Sequence, residues 1–75
     1  MMRLGILSGR ERQVLLLIAE DKTDREIARA LGIRERTARA HVSRIILKLG
    51  VSSRVGAAVA VTEWKIRTEL DSAVQ

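Results

Sequence analysis

The sequence predicts an all-α fold, a single four-helix domain over residues 1–75. Three observations carry this expectation. The chain has no Pro, and Trp64 is its only aromatic residue. It is rich in Ala, Leu, Arg and Glu, which favour helices, whereas strands draw on aromatic and β-branched residues. Two capping boxes, Ser8-Gly9-Arg10-Glu11 and Thr23-Asp24-Arg25-Glu26, each stand before an apolar run at helical spacing. A chain of 75 residues makes one domain at most and buries only about 60% of its unfolded surface. That leaves no room for an enclosed active site.

The first helix is expected over about 8–20, with Val14, Leu15 and Ile18 turned inward. Leu16 and Leu17 make the run too apolar for a freely solvated helix, so both of its sides are expected to be partly covered. Leu4 and Leu7 are placed beside it. Asp21 and Lys22 form a short connection. The second helix, about 24–31, puts Ile27, Ala28 and Leu31 on one face and ends at Gly32, where a left-handed conformation costs glycine little. The third helix, about 34–49, separates at 100° per residue into two faces. Ala38, Val42, Ile45, Ile46 and Leu49 share the apolar side. Arg36, Ala40, Ser43 and Arg44 share the other, with Arg39 and Lys48 at its margins. Gly50 ends this helix, and Val51-Ser52-Ser53 turns the chain into the last one, about 53–68, after which 69–75 is expected to fray.

Charge is focused on the same place. The net charge is +5, yet residues 1–24 sum to zero and 55–75 to −1, while 25–54 carry +6. A basic helix with small residues between its cations can approach a phosphate-lined surface closely. Two helices joined by a short Gly-containing turn, the second one basic, have the form of a helix-turn-helix. The expected partner is therefore double-stranded DNA. An acidic protein or a membrane surface fits less well, and a solvated charged face is the plain alternative. The last helix is apolar all round from Ala57 to Val61, which points to a second copy of the chain covering its outer side.

Other classes are disfavoured. With no Cys and a single His, neither a disulfide nor a metal site is expected. No carboxylate pair, nucleophile–base set or glycine-rich phosphate loop appears, so neither catalysis, a cofactor nor a small-molecule ligand in this domain is expected. No apolar run has membrane-spanning length, and the start is too short for a signal peptide. A cytoplasmic location, at the nucleoid when bound to DNA, is the expectation.

Taken together, Leu7-Ser8-Gly9-Arg10-Glu11, Val14-Leu15, Glu26-Ile27-Ala28, Leu31-Gly32-Ile33, Thr37, His41-Val42, Ile45, Lys48-Leu49-Gly50-Val51 and Ser53-Arg54 stand in the order and spacing of a known family. The chain resembles the LuxR/GerE-type helix-turn-helix, the module that also forms the output domain of FixJ- and NarL-like response regulators. The resemblance runs from about Leu7 to Val61. It implies a transcriptional regulator whose third helix enters the major groove and whose fourth mediates dimerisation. By position it puts base reading on Arg39, Ala40 and Ser43. Arg39 stands where the family usually has Lys, and Arg can grip guanine O6 and N7 with two parallel bonds. Arg34, Arg36, Thr37, Arg44 and Lys48 would meet phosphates, which set register and affinity. Val55, Val59, Ala60 and Ile66 would form the dimer face.

Two roles stand open for His41: donating to a phosphate, or bonding a neighbouring backbone group, which is favoured. Arg54 is read as structural, with Glu11 as its expected partner. Leu47 projects onto the polar side without a role, to be covered by the last helix or by a second copy. The chain departs from the family at Asp21, where Gly is common and another conformation is expected. It departs at Arg34, where a Ser or Thr cap is common, and at Ala38, where Val is usual. Region 4 of bacterial sigma factors is a rival, since Arg34-Glu35-Arg36 is similar to its Arg-Glu-Arg. A helical protein-interaction module without DNA affinity is a rival of another class.

Overall fold

A computed structural model describes the backbone of residues 4–74 and the side chains of 5–71. After a short 3-10 turn, Leu4–Ile6, come α1 (Gly9–Ala19), α2 (Asp24–Leu31), α3 (Glu35–Leu49) and α4 (Arg54–Val74). Each capping box forms as expected. The Ser8 hydroxyl accepts from the Glu11 amide and the Glu11 carboxylate accepts from the Ser8 amide; Thr23 and Glu26 repeat the pair. These bonds satisfy amides that the first turn of a helix otherwise leaves without partners.

α1, α2 and α3 end in the same way. The backbone amides of Lys22, Ile33 and Val51 donate back to the carbonyls of Leu17, Ala28 and Ile46. Such an ending needs one residue with a left-handed backbone. Gly32 and Gly50 supply it at φ 66° and 67°. In α1 the place belongs to Asp21, at φ 62°. The expectation of another conformation there is corrected: the chain keeps the glycine geometry and accepts the steric cost, which an Asp side chain tolerates better than most.

One core forms where the helices cross. Val14, Leu15, Ile27, Ile45 and Val61 are its largest fully buried side chains, joined by Leu7, Ile18, Ala28, Ala38, Val42 and Ala57. α1 packs against α3 and α4, and α2 lies on α3. Leu17, Leu31, Ile46, Leu49 and Trp64 are half-buried at the margin of this core. Leu16 is exposed, so the expectation that both flanks of α1 are covered holds only on the Leu17 side. The side chain of Leu4 lies outside the described residues.

α4 runs past the expected end near 68 and continues through the stretch expected to fray. At 21 residues it is about 31 Å long, and it sets the 42 Å long axis of the molecule. Only its first half meets the core: Ala57 and Val61 are fully buried and Trp64 partly so, while every residue from Lys65 to Asp71 is exposed. Among the described residues no single helix is long and apolar enough to cross a membrane.

Candidate nucleic-acid interface

α3 presents the candidate surface because its buried side is fully used. Ala38, Val42 and Ile45 are buried against α1 and α2, and Ile46 and Leu49 are tucked at the edges. The helix is thereby fixed in rotation, and what remains faces outward. Arg39, Ala40 and Ser43, the expected base-reading set, are all exposed. So are Arg34, Arg36, Thr37, Arg44 and Lys48. At 100° per residue, Arg36, Ala40 and Ser43 lie along one line. Thr37, Arg44 and Lys48 run along one flank of that line, and Arg39 along the other.

The start of α3 is uncapped. Arg34 holds the N-cap position with an extended backbone, and its side chain makes no capping bond. The absence of Ser or Thr there is therefore a structural fact as well as a sequence one. The Ala38 amide is satisfied by the Arg34 carbonyl at 3.0 Å.

Arg39 is held from two sides. Its guanidinium lies 3.6 Å from Asp24 on α2 and 3.5 Å from Glu35 one turn earlier. Its side chain remains 62% exposed, so both contacts are wet and easily exchanged. Asp24 also accepts from Arg54 at 2.6 Å, and Arg54 donates to the Lys22 carbonyl at 2.9 Å. Arg54 is structural as expected, but its partner is Asp24 rather than Glu11. This pair joins the start of α4 to the start of α2, beside the end of α1.

Glu11 pairs instead with Lys48, at 2.8 Å. The carboxylate is almost fully buried, while the Lys48 side chain is about two-fifths exposed. The hydrogen bond from Lys48, and after it the one from the Ser8 amide, holds the Glu11 carboxyl below its ordinary pKa. Glu26 is lowered in the same direction by the amide and hydroxyl of Thr23. Lys48 was expected among the phosphate contacts; in this structure its charge is already matched, and it ties the last turn of α3 to the first turn of α1.

His41 is half-buried, and its Nδ1 is buried with no hydrogen-bond partner. The expected bond to a neighbouring backbone group is not made by that atom. Leu47 is 80% exposed. The expectation that the last helix covers it is corrected, since α4 turns away from α3 by 63°.

On α4, Val55, Val59 and Ile66 are exposed and fall on one stripe, which Leu70 extends by another turn. Ala60, expected in the same set, is half-buried and lies roughly 140° around the helix from Val55. Leu70 was missed, although its spacing of four from Ile66 was the available signal. Asp24 as the partner of Arg54 and Arg39, and Lys48 as the partner of Glu11, were missed because sequence spacing does not report contacts between distant helices.

Comparison with known proteins agrees with this geometry. The family described as bacterial regulatory proteins, luxR family, matches residues 5–61. The chain is 48% identical to the spore germination protein GerE of Bacillus subtilis over 54 residues, covering 72% of this chain and 73% of that protein. It is 43% identical to the nitrate/nitrite response regulator protein NarL of Escherichia coli over 60 residues, 80% of this chain but 28% of the other. It spans 30% of the length of the uncharacterized transcriptional regulatory protein YhcZ of Bacillus subtilis, at 41% identity. The solved structure of the transcription factor GerE superposes with a TM-score of 0.69 at 39% sequence identity, covering 79% of this chain and 88% of that one.

Proposed function

We propose, for a chain that belongs to the luxR family of bacterial regulatory proteins, that it is the sequence-specific DNA-binding unit of a transcriptional regulator. The observation that carries this is the outward line of Arg36, Ala40 and Ser43, flanked by cations, on a helix whose opposite side is locked into the core. Such a helix enters a major groove as a rigid body. Arg39 would read guanine, Ala40 would touch a thymine methyl, and Ser43 would donate or accept at a base edge. Arg34, Arg36, Thr37 and Arg44 would meet phosphates. Lys48, matched by Glu11, would add little to that set.

Pairing through α4 completes the reading. The stripe Val55, Val59, Ile66 and Leu70 is between 50% and 68% exposed, and burying it against a second copy would stabilise both. A two-fold pair would set two copies of α3 in successive major grooves, about 34–36 Å apart. A place in the cytoplasm, at the nucleoid, goes with this function.

Selection of bound sequences from a random DNA pool tests it. The expected result is an enriched site with two-fold symmetry and half-sites about one helical turn apart. An unenriched pool, with binding that does not weaken as salt rises, would overturn the DNA-binding function. An enriched but asymmetric single half-site would overturn pairing alone.

A further inference from the structure

Leu47 has no part in the site described so far, yet it is the most exposed large apolar side chain among the described residues. It continues the line Arg36, Ala40, Ser43 at the same alternation of four, three and four residues, so it faces where they face. Nothing among the described residues covers it. α4 departs at 63°, and the core takes Ile45, Ile46 and Leu49 from the other side of the same turn. Its neighbour along the outer surface is the exposed Arg44, while Lys48 beside it is already paired with Glu11. An apolar protein partner seated on Leu47 would have to bury or displace the Arg44 guanidinium. A DNA groove instead offers Arg44 a phosphate and offers Leu47 the one large apolar group that projects from a base edge, the C5-methyl of thymine.

We infer that Leu47 is a specificity-determining residue that reads a thymine methyl at the base pair met by the last turn of α3 in each half-site. This rests on the groove-binding function proposed above. The spacing supports it: from Arg36 to Leu47 the helix rises about 16.5 Å, which corresponds to about five base-pair steps. Ala40 and Leu47 lie about two turns apart on that line, so the two methyl contacts fall at separate base pairs.

The test uses the site enriched from the random pool and replaces each thymine in turn by deoxyuridine, which removes only the methyl group. For the unaltered protein, one thymine besides the one assigned to Ala40 should lose about three- to fivefold in affinity, the effect of one buried methyl. Leu47→Ala should bind the thymine and uracil versions of that position equally well. Leu47→Gln should also lose the thymine preference there. Because the uracil substitution leaves the protein untouched, a folding defect cannot imitate it. Indifference of the unaltered protein to uracil at every thymine besides the one assigned to Ala40 would overturn the inference while leaving groove binding intact. So would a Leu47→Ala variant that keeps the preference. An unenriched pool would remove groove binding and this inference together.

Discussion

Replacing Lys48 by Ala should damage the fold before it damages DNA binding. The variant leaves the Glu11 carboxylate almost fully buried, with the Ser8 amide as a remaining partner at 2.9 Å. Breaking a buried ion pair from one side typically costs about 3–5 kcal/mol. Here the lysine is two-fifths exposed and the carboxylate keeps a backbone donor, so a loss of about 2 kcal/mol is expected. For a domain of this size that is a fall of roughly 8–16 °C in Tm. The pH dependence identifies the cause. The Glu11 carboxyl pKa is lowered, by the hydrogen bond from Lys48 first and that from the Ser8 amide second. Its contribution is therefore fully present above the unfolded value, near 4.3, and is lost as pH falls through the lower folded value. Removing Lys48 relaxes that depression, so the gap between the two proteins should be widest at neutral pH and should narrow in acid, as Glu11 takes up its proton in both. Denaturant unfolding followed by circular dichroism at neutral and at acid pH measures it. A gap of equal size at both would mean that Lys48 acts through its methylene packing, and no gap at all would refute the ion-pair account.

Other variants separate binding from stability. Arg39→Ala should reduce discrimination between the selected site and random DNA while changing stability by no more than about 0.5 kcal/mol, because both of its carboxylate contacts are exposed; competition binding and thermal melts check the two halves. Arg34→Ser should supply the missing cap of α3 and raise stability by about 1 kcal/mol, read as a higher denaturation midpoint without a change in slope. Asp21→Gly should relieve the left-handed backbone at φ 62° and stabilise by about 0.5–1 kcal/mol, whereas Asp21→Val should destabilise; equal melting of the two would mean that the turn carries no strain.

The parts of this molecule that could be read from its sequence are those set by neighbours in the chain. The capping boxes at Ser8 and Thr23, the endings at Gly32 and Gly50, and the buried side of α3 each depend on residues that follow one another at steps of five positions or fewer. What could not be read depends on packing. Glu11 and Lys48 are 37 residues apart, and Asp24 and Arg54 are 30 apart. A lone Glu in a capping box gives no sign that a lysine from another helix will reach it. Leu16 and Leu17 are adjacent and alike, and only the packing of the other helices around α1 leaves one exposed and the other half-buried. The candidate site was legible as a face of α3, since periodicity decides which residues look outward. The restraint on that face was not, because Asp24 lies on a different helix.

That restraint has an uneven division of labour. Asp24 holds Arg54 at 2.6 Å and Arg39 at 3.6 Å. When a guanine, or anything else, claims Arg39, the carboxylate gives up only its looser companion and is never left without a counter-charge. The handover therefore strands no ion in a dry place, and the joint between the starts of α2 and α4 stays closed while the arginine leaves.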